Sequence, residues 1–320
     1  MQMRSYMAAA CVALSLLMCT GQVLPSTATA QERPTFSAES DLVVVHAMVE
    51  DGRGQAVPGL LDTNFLVYED NYPQTISFFS SADAPASIGL LIDNSTSMAS
   101  KRERVIASVV SFAELSNAED EIFVLAFNER VHEAWAPRVI SESDMSALRA
   151  TLEKHISARG KTALYDGIAR GLERLALGRH ARQVLVIVSD GSDNASLTGL
   201  DEMLGRTQSS SAMIYTVALN DPVDRDGNPK LLKRISTSTG GESFSPRDVD
   251  EVPEAIDHIA RDIRATYTLG FVPTNQARDG SMRKLRVVAR HPDGRTLKVQ
   301  TRGGYLAPRA STGTAGGRVR

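Results

Sequence analysis

The chain has 320 residues, 42% of them hydrophobic and 23% charged, and a formal net charge of −3 at neutral pH. That is enough chain for about two domains of ordinary globular composition. The charge gives no electrostatic footprint for nucleic acid. No segment beyond the N-terminal region reaches the ~18–20 apolar residues that a membrane helix needs.

Arg4, the nearly continuous apolar run 6–18, and Ala28-Thr29-Ala30 before Gln31 read as a secretory signal peptide over 1–30, cleaved after Ala30. The alternatives are an uncleaved anchor, for which the run is short, and a lipid anchor on Cys19. Met18 stands just before Cys19, where such a signal has a small residue. Both cysteines, Cys11 and Cys19, fall inside this segment, so the processed chain would carry no disulfide. An exported, cysteine-free protein of this size fits a bacterial periplasm, cell surface or medium.

Residues 36–84 read as an N-terminal β segment. It has a strand signal at 42–49, a turn at Asp51-Gly52-Arg53-Gly54, and short strands at 65–69 and 75–79 separated by Asp70-Asn71-Tyr72-Pro73. Residues 86–265 alternate strand and helix. Strands are expected at 87–92, 121–127, 184–189 and 213–219, with a short edge strand at 131–139. Helices are expected at 101–117, 143–157, 163–177, 199–208, 229–238 and 248–264. This alternation predicts an α/β fold, a doubly wound and mostly parallel sheet with helices on both faces. Its ligands would bind beyond the carboxyl ends of the strands. Residues 266–307 are β again, with signals at 267–271, 283–289 and 297–302 and a turn at His291-Pro292-Asp293-Gly294. Neither β segment can bury much alone, so 266–307 is expected to pack with 36–84 as one smaller antiparallel domain. Residues 308–320 are rich in Gly, Ser, Thr and Arg, the composition of a disordered tail.

Three polar loops stand at strand-to-helix boundaries of the middle segment. Asp93-Asn94-Ser95-Thr96-Ser97 follows the apolar run 88–92. Gly160-Lys161-Thr162 leads into a helix, and Ser189-Asp190-Gly191 closes the apolar run 184–188. One carboxylate and two hydroxyls in the first loop suit a hard divalent cation, and no His or Cys lies in any of the three, which argues against zinc. The competing roles are structural: helix N-caps for Asp93, Ser95, Ser97 and Thr162, and a turn position for Asp190.

Together the three loops resemble the metal-ion-dependent adhesion site of von Willebrand factor A domains. The resemblance implies that Asp93, Ser95, Ser97, Thr162 and Asp190 hold one divalent cation, Mg²⁺ before Mn²⁺ or Ca²⁺. It further implies that an Asp or Glu of a partner protein fills an open position on it. Asp166 and Asp193 read as helix-start and loop residues. Val57-x-Gly59-Leu60, Phe65-x-Val67-x-Glu69-Asp70 and Arg302-Gly303-Gly304-Tyr305 are similar to flanking patterns of a bacterial exported family related to these domains. The resemblance to von Willebrand factor A domains further implies a switch between open and closed states, with the helix at 248–264, leading into the β domain, as its lever.

Two tempting motifs carry nothing. Asp221-Pro222-Val223-Asp224-Arg225-Asp226-Gly227 fails as an EF-hand because Pro222 and Lys233 stand where ligands belong. Asn94-Ser95-Thr96 and Asn194-Ala195-Ser196 match the glycosylation pattern by accident. Histidines 46, 132, 155, 180, 258 and 291 are scattered, and no nucleophile elbow or phosphate loop is present. The expected function is a metal-dependent protein-binding module without catalysis. The alternatives are an envelope scaffold in which the metal only stabilises the fold and, more distantly, a metal-dependent hydrolase.

Overall fold

The computed structural model describes residues 42–219 and 227–309. In chain order its elements begin with β1 (Val43–Glu50), β2 (Phe65–Glu69), β3 (Tyr72–Gln74), β4 (Ile76–Ser80), β5 (Ala86–Asp93), α1 (Arg102–Leu115), β6 (Glu121–Phe127), β7 (Val131–Val139), α2 (Met145–His155) and α3 (Leu164–Leu175). They continue with β8 (Arg182–Ser189), α4 (Leu200–Ser209), β9 (Met213–Ala218), α5 (Pro229–Thr239), β10 (Ser243–Phe244) and α6 (Val252–Ala265). The last strands are β11 (Thr266–Phe271), β12 (Met282–Arg290), β13 (Thr296–Thr301) and β14 (Gly304–Leu306).

All eight residues of β5 are buried. That is why this strand reads as a continuous apolar run rather than an alternating one: helices cover both faces of a parallel sheet. Ile88, Leu90 and Ile92 pack into a cluster with α1, α2 and α6, while Leu91 points into a second cluster with α3, α4 and α5. Each helix supplies an apolar stripe at helical spacing, such as Leu164, Ile168, Leu172 and Leu175 of α3. The strand order is β10-β9-β8-β5-β6-β7, parallel except for the antiparallel edge strand β7. After β6 and β7 are laid on one side of β5, the chain crosses to β8 on the other. The crevice between the ends of β5 and β8 is therefore the switch point of the sheet. The expected strands and helices are all present, with ends displaced by a few residues.

A second, antiparallel sheet has the order β3-β2-β12-β13-β1-β11-β4, with β14 paired to β12. Strands from both ends of the described chain thus alternate in one sheet: β1 lies between β11 and β13, and β2 beside β12. The two outermost strands, β3 and β4, are separated in sequence only by Thr75, so the sheet curls until its edges nearly meet. Phe65 and Tyr267 pack at 5.1 Å between ring centroids in its core.

Three short strands, β3, β10 and β14, depart from the sequence expectation. Tyr72 and Pro73 belong to β3 and not to a loop; the turn is Asp70-Asn71, both at positive φ, 48° and 71°. A proline in the run hides the strand, yet β3 is an edge where a missing amide hydrogen costs little. The strand β14 is masked in the sequence by Gly303-Gly304. Residues 308 and 309, expected in the tail, are paired: Arg309 forms an isolated antiparallel β-bridge with Asp279, and the Gly280 amide donates to the Pro308 carbonyl. The signal-peptide reading, the remainder of the tail and residues 221–226 of the rejected EF-hand lie outside the described residues.

Two buried arginines join the sheets. Arg182, opening β8, donates to the carbonyls of Ala84 at 2.7 Å, Ser81 at 2.8 Å, Ile263 at 3.1 Å and Thr266 at 2.5 Å. Arg302, after β13, donates to Gln208 O at 2.7 Å and Ser210 O at 2.5 Å, the carbonyls at the end of α4. Burial lowers both guanidinium pKa values to about 10, which leaves them charged at neutral pH.

Candidate metal centre

The first loop leaves β5 at Asp93 and enters a 3₁₀ turn, Thr96–Lys101, ahead of α1. Asp93 Oδ1 accepts from the Ser95 amide at 2.9 Å, closing the loop over its own carboxylate. Its Oδ2 accepts from the Ser189 hydroxyl at 2.7 Å. Ser95 Oγ and Ser97 Oγ lie 3.1 Å apart, and Ser97 Oγ donates to Asp190 Oδ2 at 2.6 Å. Asp190 Oδ1 accepts from the Ser192 amide at 2.9 Å, and Ser192 Oγ is 3.4 Å from Thr162 Oγ1. All five expected side chains therefore meet in one network at the carboxyl ends of β5 and β8.

Neither Ser95 nor Thr162 caps a helix through its side chain. Ser95 is the N-cap of the 3₁₀ turn without a side-chain capping bond, and α3 is capped at Ala163, one residue past Thr162. The Thr162 hydroxyl is thereby left for the site. Asp193 and Asp166 act as loop supports. Asp193 accepts from the Tyr165 amide, and the Asp166 carboxylate accepts from the amides of Leu197 and Thr198 at 2.9 and 2.8 Å.

Three contributors escaped the sequence reading. Ser189 braces Asp93, and its hydroxyl also accepts from the Gly191 amide at 3.0 Å. Ser192 connects Asp190 to Thr162. Asn94 is 1% exposed; its Oδ1 accepts from the amides of Ser157 and Ala158 at 2.7 and 2.6 Å, and its Nδ2 donates to His155 O at 3.3 Å. Asn94 thereby anchors the segment that delivers Thr162, including Ala158 at a positive φ of 50°. That burial is incompatible with a glycan on Asn94. A polar residue beside a ligand motif is the only sequence trace of these roles. Gly191 is needed for its backbone: φ is +84°, and a Cβ would stand 2.6 Å from Asn228 O.

Asp93 and Asp190 are each 1% exposed. Burial pushes the Asp93 carboxyl up to about 6; the hydrogen bonds from Ser95 and Ser189 oppose this and Asp190 adds to it. Among the described residues no Lys or Arg forms an ion pair with either carboxylate. Two buried carboxylates without a cationic partner, ringed by hydroxyls and free of imidazole and thiol, form a donor set that fits a hard divalent cation. Ser97 is half-buried and Thr96 exposed, so the crevice opens to solvent on that side.

The family description of the von Willebrand factor type A domain matches residues 87–258, more than half of the chain. The chain belongs to this family. No curated protein matches it. Among solved structures it is similar to a von Willebrand factor type A protein from Catenulispora acidiphila, at 12% identity over 85% of this chain and 74% of that one, with a TM-score of 0.49. It is also similar to proximal thread matrix protein 1 of the mussel byssus in a form with a zinc-occupied metal-ion-dependent adhesion site, at 14% identity over 60% and 48% of the two chains, TM-score 0.47. The PilB minor pilin of Streptococcus sanguinis is similar at 11% identity over 57% and 62%, TM-score 0.46.

Proposed function

We propose that the chain is an exported, non-catalytic binding module. Its three loops would present a divalent cation, Mg²⁺ first, to an acidic side chain of a partner protein. The observation that carries this reading is the convergence of Asp93, Ser95, Ser97, Thr162 and Asp190 into one oxygen-only cluster at the sheet's switch point. Asp93 and Asp190 supply the charge, and the three hydroxyls complete the set without neutralising it further. A bound cation would supply Lewis acidity toward a carboxylate from outside. The chain's own residues hold the donors in place: Ser189 and the Ser95 amide orient Asp93, and the Ser192 amide orients Asp190.

We read the site as binding rather than catalytic because no histidine belongs to the three loops and every serine hydroxyl there faces a carboxylate or another hydroxyl. The antiparallel sheet formed by the flanking segments 36–84 and 266–307 is proposed to be a separate domain into which 86–265 is inserted. Membership of the von Willebrand A family supports a protein partner.

The test is Mg²⁺, Mn²⁺ and Ca²⁺ calorimetry on the chain and on Asp93→Ala, followed by partner capture with and without chelator. Saturable binding lost in the variant together with chelator-sensitive capture supports the reading. A partner retained in full by Asp93→Ala would assign recognition to the β sheet and make the metal a stabiliser of a scaffold.

A further inference from the structure

Outside the three loops, one group of side chains has the composition of a metal site. Glu242 stands directly before β10, and its carbonyl accepts from the Thr216 amide at 3.0 Å, which ties it to β9. His258 and Asp262 lie four residues apart on α6 and so share a helix face. One ligand atom from each of Glu242, His258 and Asp262 falls within 4.8 Å of the others. His258 Nε2 is 3.5 Å from Asp262 Oδ1, and the Phe244 ring packs on the imidazole at 5.1 Å between centroids, restricting its orientation.

The second observation is Asp262 itself. The residue is 7% exposed, and its Oδ2, sealed from solvent, has no hydrogen-bond partner among the described residues. Of the nearby cations, Lys298 is engaged with Glu50 at 2.6 Å. Two carboxylates, Glu242 and Asp262, thus meet beside one imidazole, and a buried oxygen of Asp262 lacks a donor there. The location is consequential: α6 passes at Thr266 straight into β11, and Glu50 and Lys298 come from β1 and β13, so the group lies where the parallel sheet meets the antiparallel one.

We propose that Glu242, His258 and Asp262 form a second divalent-cation site, distinct from the oxygen-only centre and of the class that takes Zn²⁺. One imidazole with two carboxylates matches Zn²⁺ and its first-row neighbours, whereas Mg²⁺ and Ca²⁺ favour oxygen alone. His258 is half-exposed, which leaves a route for the ion and room for a water ligand. A cation here would cross-link β10 to the end of α6.

The experiment is Zn²⁺ calorimetry on the full chain in saturating Mg²⁺, for the parent, His258→Gln, Asp262→Asn and Asp93→Ala. The expected result is one Zn²⁺ equivalent that resists Mg²⁺, is weakened at least about tenfold by His258→Gln, and is unchanged in Asp93→Ala. His258 is a half-exposed surface side chain, so His258→Gln remains informative even if Asp262→Asn does not fold. No Mg²⁺-resistant Zn²⁺ equivalent, or the same Zn²⁺ affinity in His258→Gln as in the parent, overturns the proposal. Loss of the equivalent in Asp93→Ala places the zinc in the three-loop centre and overturns it too.

Discussion

Ser97 Oγ donates to Asp190 Oδ2 at 2.6 Å, joining two loops that are 93 residues apart in sequence. This bond draws the first and third loops together at the switch point. Ser97→Ala removes both a proposed ligand and the tie. Mg²⁺ affinity is expected to fall by about tenfold or more, with stability lowered by about 1–3 kcal/mol because buried Asp190 Oδ2 loses its donor. Calorimetry beside a urea titration reads both.

Ser189 holds Asp93 from behind. Ser189→Ala leaves Asp93 Oδ2 without its buried donor. The expectation is a metal affinity lowered about 10- to 100-fold in a folded protein, measured by calorimetry. Unchanged affinity would mean that Asp93 is positioned by its own loop alone.

Gly191→Ala combines a backbone that favours glycine with a clash against Asn228 O. A loss of about 1–3 kcal/mol is expected, and metal binding should weaken with it because Asp190 is the preceding residue. Urea titration and calorimetry on the same preparation check the pair.

Arg182→Leu deprives four carbonyls of their donor at the junction of the two sheets. The cost is expected to be about 3 kcal/mol or more. Loss of the junction should show as two separated transitions in denaturant if the sheets unfold independently.

His46 tests the pH response. It is buried in β1, with Nδ1 3.2 Å from Thr268 Oγ1. Burial first, then the charges of Arg182 and Arg302, lower its pKa to about 3. The unfolded chain takes up the proton near its ordinary value of ~6.5, so the unfolded state binds more protons as pH falls. The stability that this group contributes is present above about 6.5 and is lost progressively down to about 3. Between pH 7 and pH 5 the loss attributable to His46 is about 2 kcal/mol. Urea titrations at the two pH values should show that His46→Gln flattens the dependence by this amount.

Much of this is legible in the sequence. The buried strands at 88–92 and 184–188 announced a parallel sheet through their unbroken apolar runs, and the order of the three loops marked the candidate metal site proposed above. Those signals are local: a run, a turn, a spacing. Asn94, Ser189 and Ser192 were not legible as supports, because a hydrogen bond to a distant segment leaves no periodicity. Glu242, His258 and Asp262 were equally silent, since one member comes from a strand approach and two from a helix.

The flanking motifs show the division plainly. The composition of Phe65-x-Val67-x-Glu69 and of Gly303-Gly304-Tyr305 announces short β structure at the two ends of the chain. Only the tertiary structure decides that β2 and β12 are neighbours and that the Tyr305 hydroxyl donates to buried Glu69 Oε2 at 3.0 Å. Hydrophobic pattern determines which residues are buried and in what local form, because burial follows period and turn chemistry. Which buried polar group meets which is decided by chain topology, because a carboxylate in the core takes whichever donor the fold carries to it.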